Sequence, residues 1–422
     1  MNWKKSPAAV LAVLMAIHLL AFIDRNVLLA FSPQITHDLG LSNSQYGFLV
    51  GAGWVTSYSV MVLVMGMLAD RFSRPRLIAV GILIWSASTA ASGMAHTFDQ
   101  MIVARFFVAS GEAALIPAAL ALLFELFPPQ RRSAAMGLFF MAIPAGFGCA
   151  YLIAGTFGTA YGWRSTFLTL GGIGAVIALL LSLLNEHRDK PGQAVRGEPL
   201  VAQTRAAVSL LRSEPALVLT ILGFVLVHMA FVGMSFAQLW LVRERGVDGS
   251  SVARTMGTLQ IVFGALGSFA GGALSDRYAR RLPGGRATVM TLMVLLAAPL
   301  MIAYRLAAPG SPLFYLGMCA GFFLPLAMYG PANTIIQGRT PPHMRATMTA
   351  CTMVFINLFA HAIGNLAVGR ASDAMRHAGM SAPLTHALLG TDIVVLASAL
   401  FFFMVARQIR GTSKIGAVNV PG

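Results

Sequence analysis

Asp24, Arg25, Arg105 and Glu112 are ionisable side chains set inside long apolar runs. An ionisable group in hydrocarbon costs roughly 2.5–3.5 kcal/mol on insertion scales, so each needs a chemical reason to be there. The four sum to zero charge and can therefore pair. Arg105 and Glu112 are spaced by about two helical turns, which puts them on nearly the same face. A carboxylate in a medium of low dielectric holds its proton more firmly, and a neighbouring guanidinium loosens it. Such a set can bind and release a proton as its neighbours shift. That is the chemistry of proton coupling. A static ion-pair network tying two helices together is the competing reading of the same residues.

The elements that must position these charges are legible in the composition. The chain has 422 residues, 57% hydrophobic and only 11% charged, with a mean hydropathy of +0.74. Soluble domains carry about 25% charged residues, so an ordinary soluble enzyme is excluded. At about 20 apolar residues per span, the runs near 8–31, 45–69, 77–95, 101–127, 134–160 and 165–185 predict six membrane helices. Six more are predicted near 216–242, 251–275, 287–307, 312–337, 346–371 and 386–408. The expected organisation is an all-α membrane protein with a six-helix bundle over 1–185, a polar linker over 186–215, a second bundle over 216–408 and a tail over 409–422. Residues 200–211 of the linker read either as a helix on the membrane surface or as flexible chain. The first apolar run resembles a signal peptide behind Lys4 and Lys5, but it is too long and contains Asp24 and Arg25, so a retained helix is expected.

Lys and Arg number 30 against 15 Asp and Glu, a net charge of +15. With both termini inside, roughly three times as many basic residues fall on the cytoplasmic side as on the other, as the positive-inside rule requires. The basic surplus is thus topological, and no nucleic-acid partner is expected. Arg305 falls among the outer-side charges in this count, and Asp392 reads as solvated near the outer end of span twelve. Glu125, near the cytoplasmic end of span four, belongs with the gate. Cys149, Cys319 and Cys351 all lie in apolar stretches, so neither a disulfide framework nor a metal site is implied.

The two halves share text. Gly66-Met67-Leu68-Ala69-Asp70-Arg71-Phe72-Ser73-Arg74 matches Gly272-Ala273-Leu274-Ser275-Asp276-Arg277-Tyr278-Ala279-Arg280, each joining spans two and three of its half. Pro128-Pro129-Gln130-Arg131-Arg132 likewise echoes Pro341-Pro342-His343-Met344-Arg345 between spans four and five. Internal repeats in a membrane bundle point to a secondary transporter. The repeated loop and the six-plus-six layout resemble the major facilitator superfamily. Phe22-Ile23-Asp24-Arg25, Leu83-Ile84-Trp85-Ser86 with Thr89, Ala104-Arg105, Gly111-Glu112-Ala113 and Ile143-Pro144-Ala145-Gly146 with Tyr151 are similar to its Spinster-like branch. Span seven departs, with Ala237-Gln238-Leu239-Trp240-Leu241 lacking a proline after the tryptophan.

The resemblance implies two pseudo-symmetric bundles that rock in alternating access. It also implies Asp24 as proton carrier, Glu112 as second carrier or gate, and Arg105 with Arg25 as their partners. Gly66, Asp70, Arg71, Arg74, Asp276 and Arg277 would form the conformational gate. His18, His228, Gln238, Tyr329, Asn333, Asn357 and His361 are candidates for the substrate cavity, with Asn357, His361 and Asn365 forming a polar stripe on span eleven. Interhelical bonding or packing is the competing reading for each. With 27 Phe and 23 Met, and Arg25 and Arg105 able to hold an anionic head, the expected cargo is a lipid-like amphiphile such as a lysophospholipid or sphingoid phosphate. Small organic anions, drug export, and a non-transporting receptor are the alternatives. No zincin, phosphate-loop or nucleophile-elbow motif occurs, so no enzyme activity, metal or cofactor is expected, and pumping would draw on a proton gradient. Gly267 and Gly271 read as points of close helix packing. A monomer in a bacterial inner membrane is the expected setting.

Overall fold

The computed structural model describes residues 6–71, 73–182, 200–279 and 281–418. The side chains of several residues inside helices, among them Asp70 and Arg71, also lie outside the described set, as does the first part of the expected linker. Among the described residues every regular element is a helix. Eleven of these helices are long and apolar enough to cross a membrane, running from Pro7–Ala30 to Pro383–Arg410. The expected second span is an uninterrupted helical path through Asn43–Phe48, the π-helical Leu49–Gly53 and Trp54–Arg71. The later linker is helical over Leu200–Ser213.

Local sequence explains where the spans bend. Span four is two helices, Phe98–Glu112 and Leu115–Leu126. Pro117 supplies no N–H and its ring crowds the carbonyl four residues earlier, that of Ala113, so the first segment stops there. Glu112 is therefore the last residue of its helix. Pro144 acts in the same way on span five, which breaks between Pro129–Phe140 and Ala142–Gly155. Phe157–Ser182 is kinked at Gly162, whose φ of 75° and ψ of 173° suit only a residue without a Cβ. Span five thus ends about five residues earlier than expected, and the next helix begins ahead of Trp163.

The chain packs as two compact units, Met1–Val195 with Gln238–Ile261, and Arg196–Ala237 with Val262–Gly422. In the first, Leu14, Ile17, Ile78, Ile82, Trp85, Val108 and Phe139 form the apolar core. Spans three and four approach so closely that a Cβ on Gly111 would meet the Gly81 carbonyl at 2.5 Å and the Trp85 amide at 2.7 Å. Residues 238–261 join this unit through small residues. A Cβ on Gly148 would meet the Gly257 carbonyl at 2.7 Å, and Arg254 Nη1 donates to the Gly155 carbonyl at 2.7 Å. Arg243 adds bonds to Thr36 Oγ1 (2.7 Å) and Asn43 Oδ1 (3.2 Å).

The second unit packs around Phe224, Met290, Leu324, Met328, Phe402 and Val405. Gly267 and Gly271 are points of close approach, since added Cβ atoms would meet the carbonyls of Phe323 and Ala327. Asp392 is not solvated. It is completely buried, and Arg305 Nε donates to its Oδ2 at 2.8 Å. Arg305 in turn is not a loop cation; it is buried in Gly285–Leu306. The pair can exist because Gly233 leaves room, a Cβ there lying 2.8 Å from Arg305 Nη2.

Candidate functional site

Asp24 and Arg25 sit near the end of the helix Pro7–Ala30, and Arg105 and Glu112 come from Phe98–Glu112. Asp24, Arg105 and Glu112 are buried. The four are brought together, but not in the pairing that spacing suggests. Glu112 is held by Arg25, whose Nη2 and Nε donate to Oε2 at 2.6 and 3.2 Å. Arg105 turns to the main chain, its two Nη groups standing 3.5 Å from the Asp24 carbonyl oxygen. The Asp24 carboxylate instead accepts from Thr89 Oγ1 at 2.5 Å through Oδ2. Thr89 belongs to the span-three helix Arg74–Gly93, which the Gly81–Gly111 contact draws against span four.

The remaining oxygens of both acids are the informative atoms. Asp24 Oδ1 and Glu112 Oε1 are buried without a hydrogen-bond partner among the described residues. Buried polar atoms are nearly always satisfied, because desolvating one without a partner costs about 1–3 kcal/mol. Two such atoms in one charge-balanced cluster mark a place able to take a proton or a ligand donor.

Three aromatic residues complete this cluster: Phe22, noted in the sequence only as part of its motif, and Trp54 and Tyr58, which sequence reasoning passed over. The Arg25 guanidinium carbon lies 3.9 Å from the centroid of Trp54, 4.8 Å from Phe22 and 5.7 Å from Tyr58. Trp54 and Tyr58 stack at 4.5 Å. A one-turn spacing of Trp54 and Tyr58 on span two, with Phe22 one turn before Arg25, was the available signal.

The other sequence candidates divide by unit. His18 packs its ring on Phe139 with centroids 4.2 Å apart, and its Nδ1 donates to the Phe139 carbonyl at 3.0 Å. Gln238 Nε2 donates to the Gly249 carbonyl at 2.8 Å, fastening the turn between spans seven and eight. In the second unit, His228 Nδ1 faces the Phe224 carbonyl at 2.7 Å and must carry the proton. Its Nε2 is then an acceptor, and the Tyr329 hydroxyl donates to it at 2.9 Å. His361 lies edge-on to His228 at 6.2 Å, so these three do converge. Asn333 and Asn365 bond carbonyls one turn back on their own helices. Asn357 and His361 fall in a π-helical segment, Ile356–Gly364, rather than on a regular α-helical stripe.

At the expected gate, Arg74 Nη1 pairs with Glu125 Oε1 at 2.7 Å. In the second loop, Asp276 pairs with Arg286 at 2.7 Å while Arg277 is exposed. The side chains of Asp70 and Arg71, and the surroundings of Gly66, lie outside the described residues. At the opposite ends of the spans, Asp38 accepts from Trp163 Nε1 and Arg164 Nη1, both at 2.8 Å. The indole bond, helped by Arg164, holds the Asp38 carboxyl below the usual carboxylate range.

Comparison with known proteins accords with this architecture. Residues 14–365 match the model of the Major Facilitator Superfamily. The chain is 28% identical to an MFS-type efflux pump of Mycolicibacterium smegmatis, over 87% of this chain and 85% of the pump. It is 30% identical to human protein spinster homolog 1, over 87% of this chain and 74% of that protein. Among solved structures, it resembles the crystal structure of a bacterial homolog to the human lysosomal transporter Spinster in an inward-facing and unoccupied conformation. That likeness has a TM-score of 0.82 at 25% identity and covers 96% of this chain and 97% of the other. A nucleoside transporter at 12% identity and a TM-score of 0.74 shares the fold. With the membrane helices, the repeated loops and these matches in agreement, this chain is an integral membrane transporter that belongs to the major facilitator superfamily and, within it, to the Spinster-like proteins.

Proposed function

We propose that the protein is a proton-coupled secondary transporter of an amphiphilic small molecule, with Asp24 and Glu112 as its proton-carrying groups. The observation that supports this is the pair of buried carboxylate oxygens, without a hydrogen-bond partner among the described residues, on two acids balanced by Arg25 and Arg105. Asp24 Oδ1 would receive the proton while Thr89 steadies Oδ2. Release of Glu112 by Arg25 would free a second carboxylate. Arg105, directed at the Asp24 carbonyl, links any shift of span one to span four. No resident cofactor is required; the proton gradient supplies the work, in a bacterial inner membrane with both termini cytoplasmic. The protein would act as a monomer.

The test is proton flux in proteoliposomes holding a pH dye, after addition of a lysophospholipid, a sphingoid phosphate or a hexuronate. Asp24→Asn is the control. A lipid-dependent flux lost in Asp24→Asn is the expected result, with substrate binding retained. Undiminished uphill transport by the variant would overturn the assignment of Asp24. The likeness to an efflux pump favours drug export as a second reading, and dye extrusion without a lipid signal would select it. A hexuronate-only flux would place the protein among organic-anion symporters.

A further inference from the structure

We infer that the box made by Phe22, Trp54 and Tyr58 is a binding site for an organic ammonium group, and that Arg25 competes with such a ligand for it. Three aromatic faces surround one guanidinium, the nearest at 3.9 Å. Cations are drawn to ring faces within about 6 Å, and quaternary ammonium groups are recognised by cages of this composition. Glu112 completes the cage with a carboxylate at 2.6 Å from Arg25 Nη2.

Two further observations point to a ligand. The Trp54 indole N–H is buried with no hydrogen-bond partner among the described residues, so the box also offers one donor to an oxygen carried near the ammonium. Arg25 is the open member of its ion pair, with 26% of its side chain exposed against 1% for Glu112. The cation in the box can thus be reached and displaced, whereas the acid beneath it stays fixed. The π-helical segment Leu49–Gly53 directly precedes Trp54. Such insertions turn the following face of a helix and are frequent at functional sites. An anionic head approaching Arg25 would meet Glu112 already in place, with Asp24 buried nearby. The four charges cancel while Arg25 occupies the box; once it is displaced, Glu112 remains as the counter-ion for a ligand cation in its place.

This inference rests on the transport reading only for the premise that substrate reaches the first unit. Binding is measured without a gradient, so its failure is distinct from a failure of proton coupling. The probes share one short tail: hexyltrimethylammonium, hexylphosphocholine and hexyl phosphate, titrated by calorimetry into the full chain in nanodiscs. The two ammonium probes are expected to bind, and hexyl phosphate at least about tenfold more weakly, a gap of about 1.4 kcal/mol. Trp54→Ala should weaken both ammonium probes about tenfold, with Trp54→Phe in between. Arg25→Gln removes the internal competitor and should tighten hexyltrimethylammonium about threefold or more. An anion site at Arg25 would give the opposite sign. Tightest binding of hexyl phosphate, binding of hexylphosphocholine without hexyltrimethylammonium, or an Arg25→Gln variant weakened for the ammonium would each overturn the inference. Should Arg25→Gln fail to fold, the Trp54 series and the probe ranking on the unaltered chain still decide it.

Discussion

The Arg305–Asp392 pair gives the sharpest energetic test of the second unit. Arg305 Nε lies 2.8 Å from Oδ2 and Nη2 lies 3.5 Å from Oδ1, with side-chain exposures of 3% and 0%. Water cannot screen a pair so enclosed. Removing one partner strands a buried charge, which costs about 3–5 kcal/mol. The second contact is long, so the lower end, about 3 kcal/mol, is expected for each single variant, Asp392→Leu and Arg305→Met. Replacing both residues with apolar ones, Arg305→Met with Asp392→Leu, removes both charges and fills similar volume. Such swaps are often neutral, so the double variant should recover most of the loss, a coupling of about 2 kcal/mol or more. Unfolding titrated with dodecyl sulfate in mixed micelles, followed by labelling of the half-buried thiols Cys149, Cys319 and Cys351, measures the cycle. The substrate-dependent proton flux proposed above should survive in the double variant. Additivity within about 0.5 kcal/mol, or unchanged stability in Asp392→Leu, would refute the reasoning.

Three further outcomes are expected. Gly111→Ala should destabilise by on the order of 1–3 kcal/mol, because its Cβ meets two backbone atoms of span three and must push the helices apart; Gly137→Ala, with nothing within 4 Å of the added Cβ, is the matched control in the same titration. The Asp38 carboxyl is depressed by Trp163 and Arg164, so its contribution is present above the ordinary Asp value of about 3.9 and is lost as pH falls through the depressed value. Trp163→Phe should shrink that acid-dependent part of the stability, and identical acid profiles in the two proteins would count against the bond. Asp70→Asn should alter the inward/outward balance, read as a changed distance distribution between spin labels on the two halves; an unchanged distribution removes Asp70 from the gate.

Much of the fold was legible because hydropathy alone marks a span. The expected ends agree with the observed helices to a few residues, apart from the stretch around Gly162 and the ends of spans eleven and twelve, whose helices run on to His377 and, through most of the expected tail, to Val418. The left-handed φ of that glycine allows a break that no hydropathy window detects. The types of the buried charges were legible too, but their partners were not. Helical spacing placed Arg105 with Glu112 on one helix, but it could not show that Arg25, from span one, is the group that bonds that acid. Asp392 and Arg305 are far apart in sequence, so neither betrays the other, and each alone reads as a helix-end charge. Trp54 and Tyr58 were hidden for a different reason. In a chain this apolar, an aromatic pair one turn apart is ordinary until a cation is found over it. The two π-helical segments have no compositional signal, and the grouping of 238–261 with the first unit depends on close packing at Gly148, Gly155 and Gly257 rather than on chain order.

The two units handle buried polarity in opposite ways, and that contrast bears on where coupling chemistry can occur. In the second unit both oxygens of Asp392 face Arg305, and the geometry around His228 leaves a neutral imidazole with a carbonyl on one nitrogen and the Tyr329 hydroxyl on the other. A proton added to either group would have to break a bond already made. In the first unit Asp24 and Glu112 each keep one oxygen bonded and one without a partner among the described residues, so a proton can be accepted at the second oxygen without dismantling the first contact. Leaving such atoms unsatisfied lowers stability by about 1–3 kcal/mol apiece. A framework gains nothing from that arrangement, whereas a group that must alternate between protonated and ionised forms does, because neither form is then fully matched by its surroundings and the two stay close in free energy. By the same logic the second unit offers fixed, neutral hydrogen-bonding groups, which suit recognition of cargo. Asp24→Asn and a Tyr329→Phe variant should therefore fail differently in the flux assay, the first losing the response to a proton gradient and the second losing cargo affinity while the gradient still drives what is bound. Loss of gradient dependence in Tyr329→Phe would remove this division between the units.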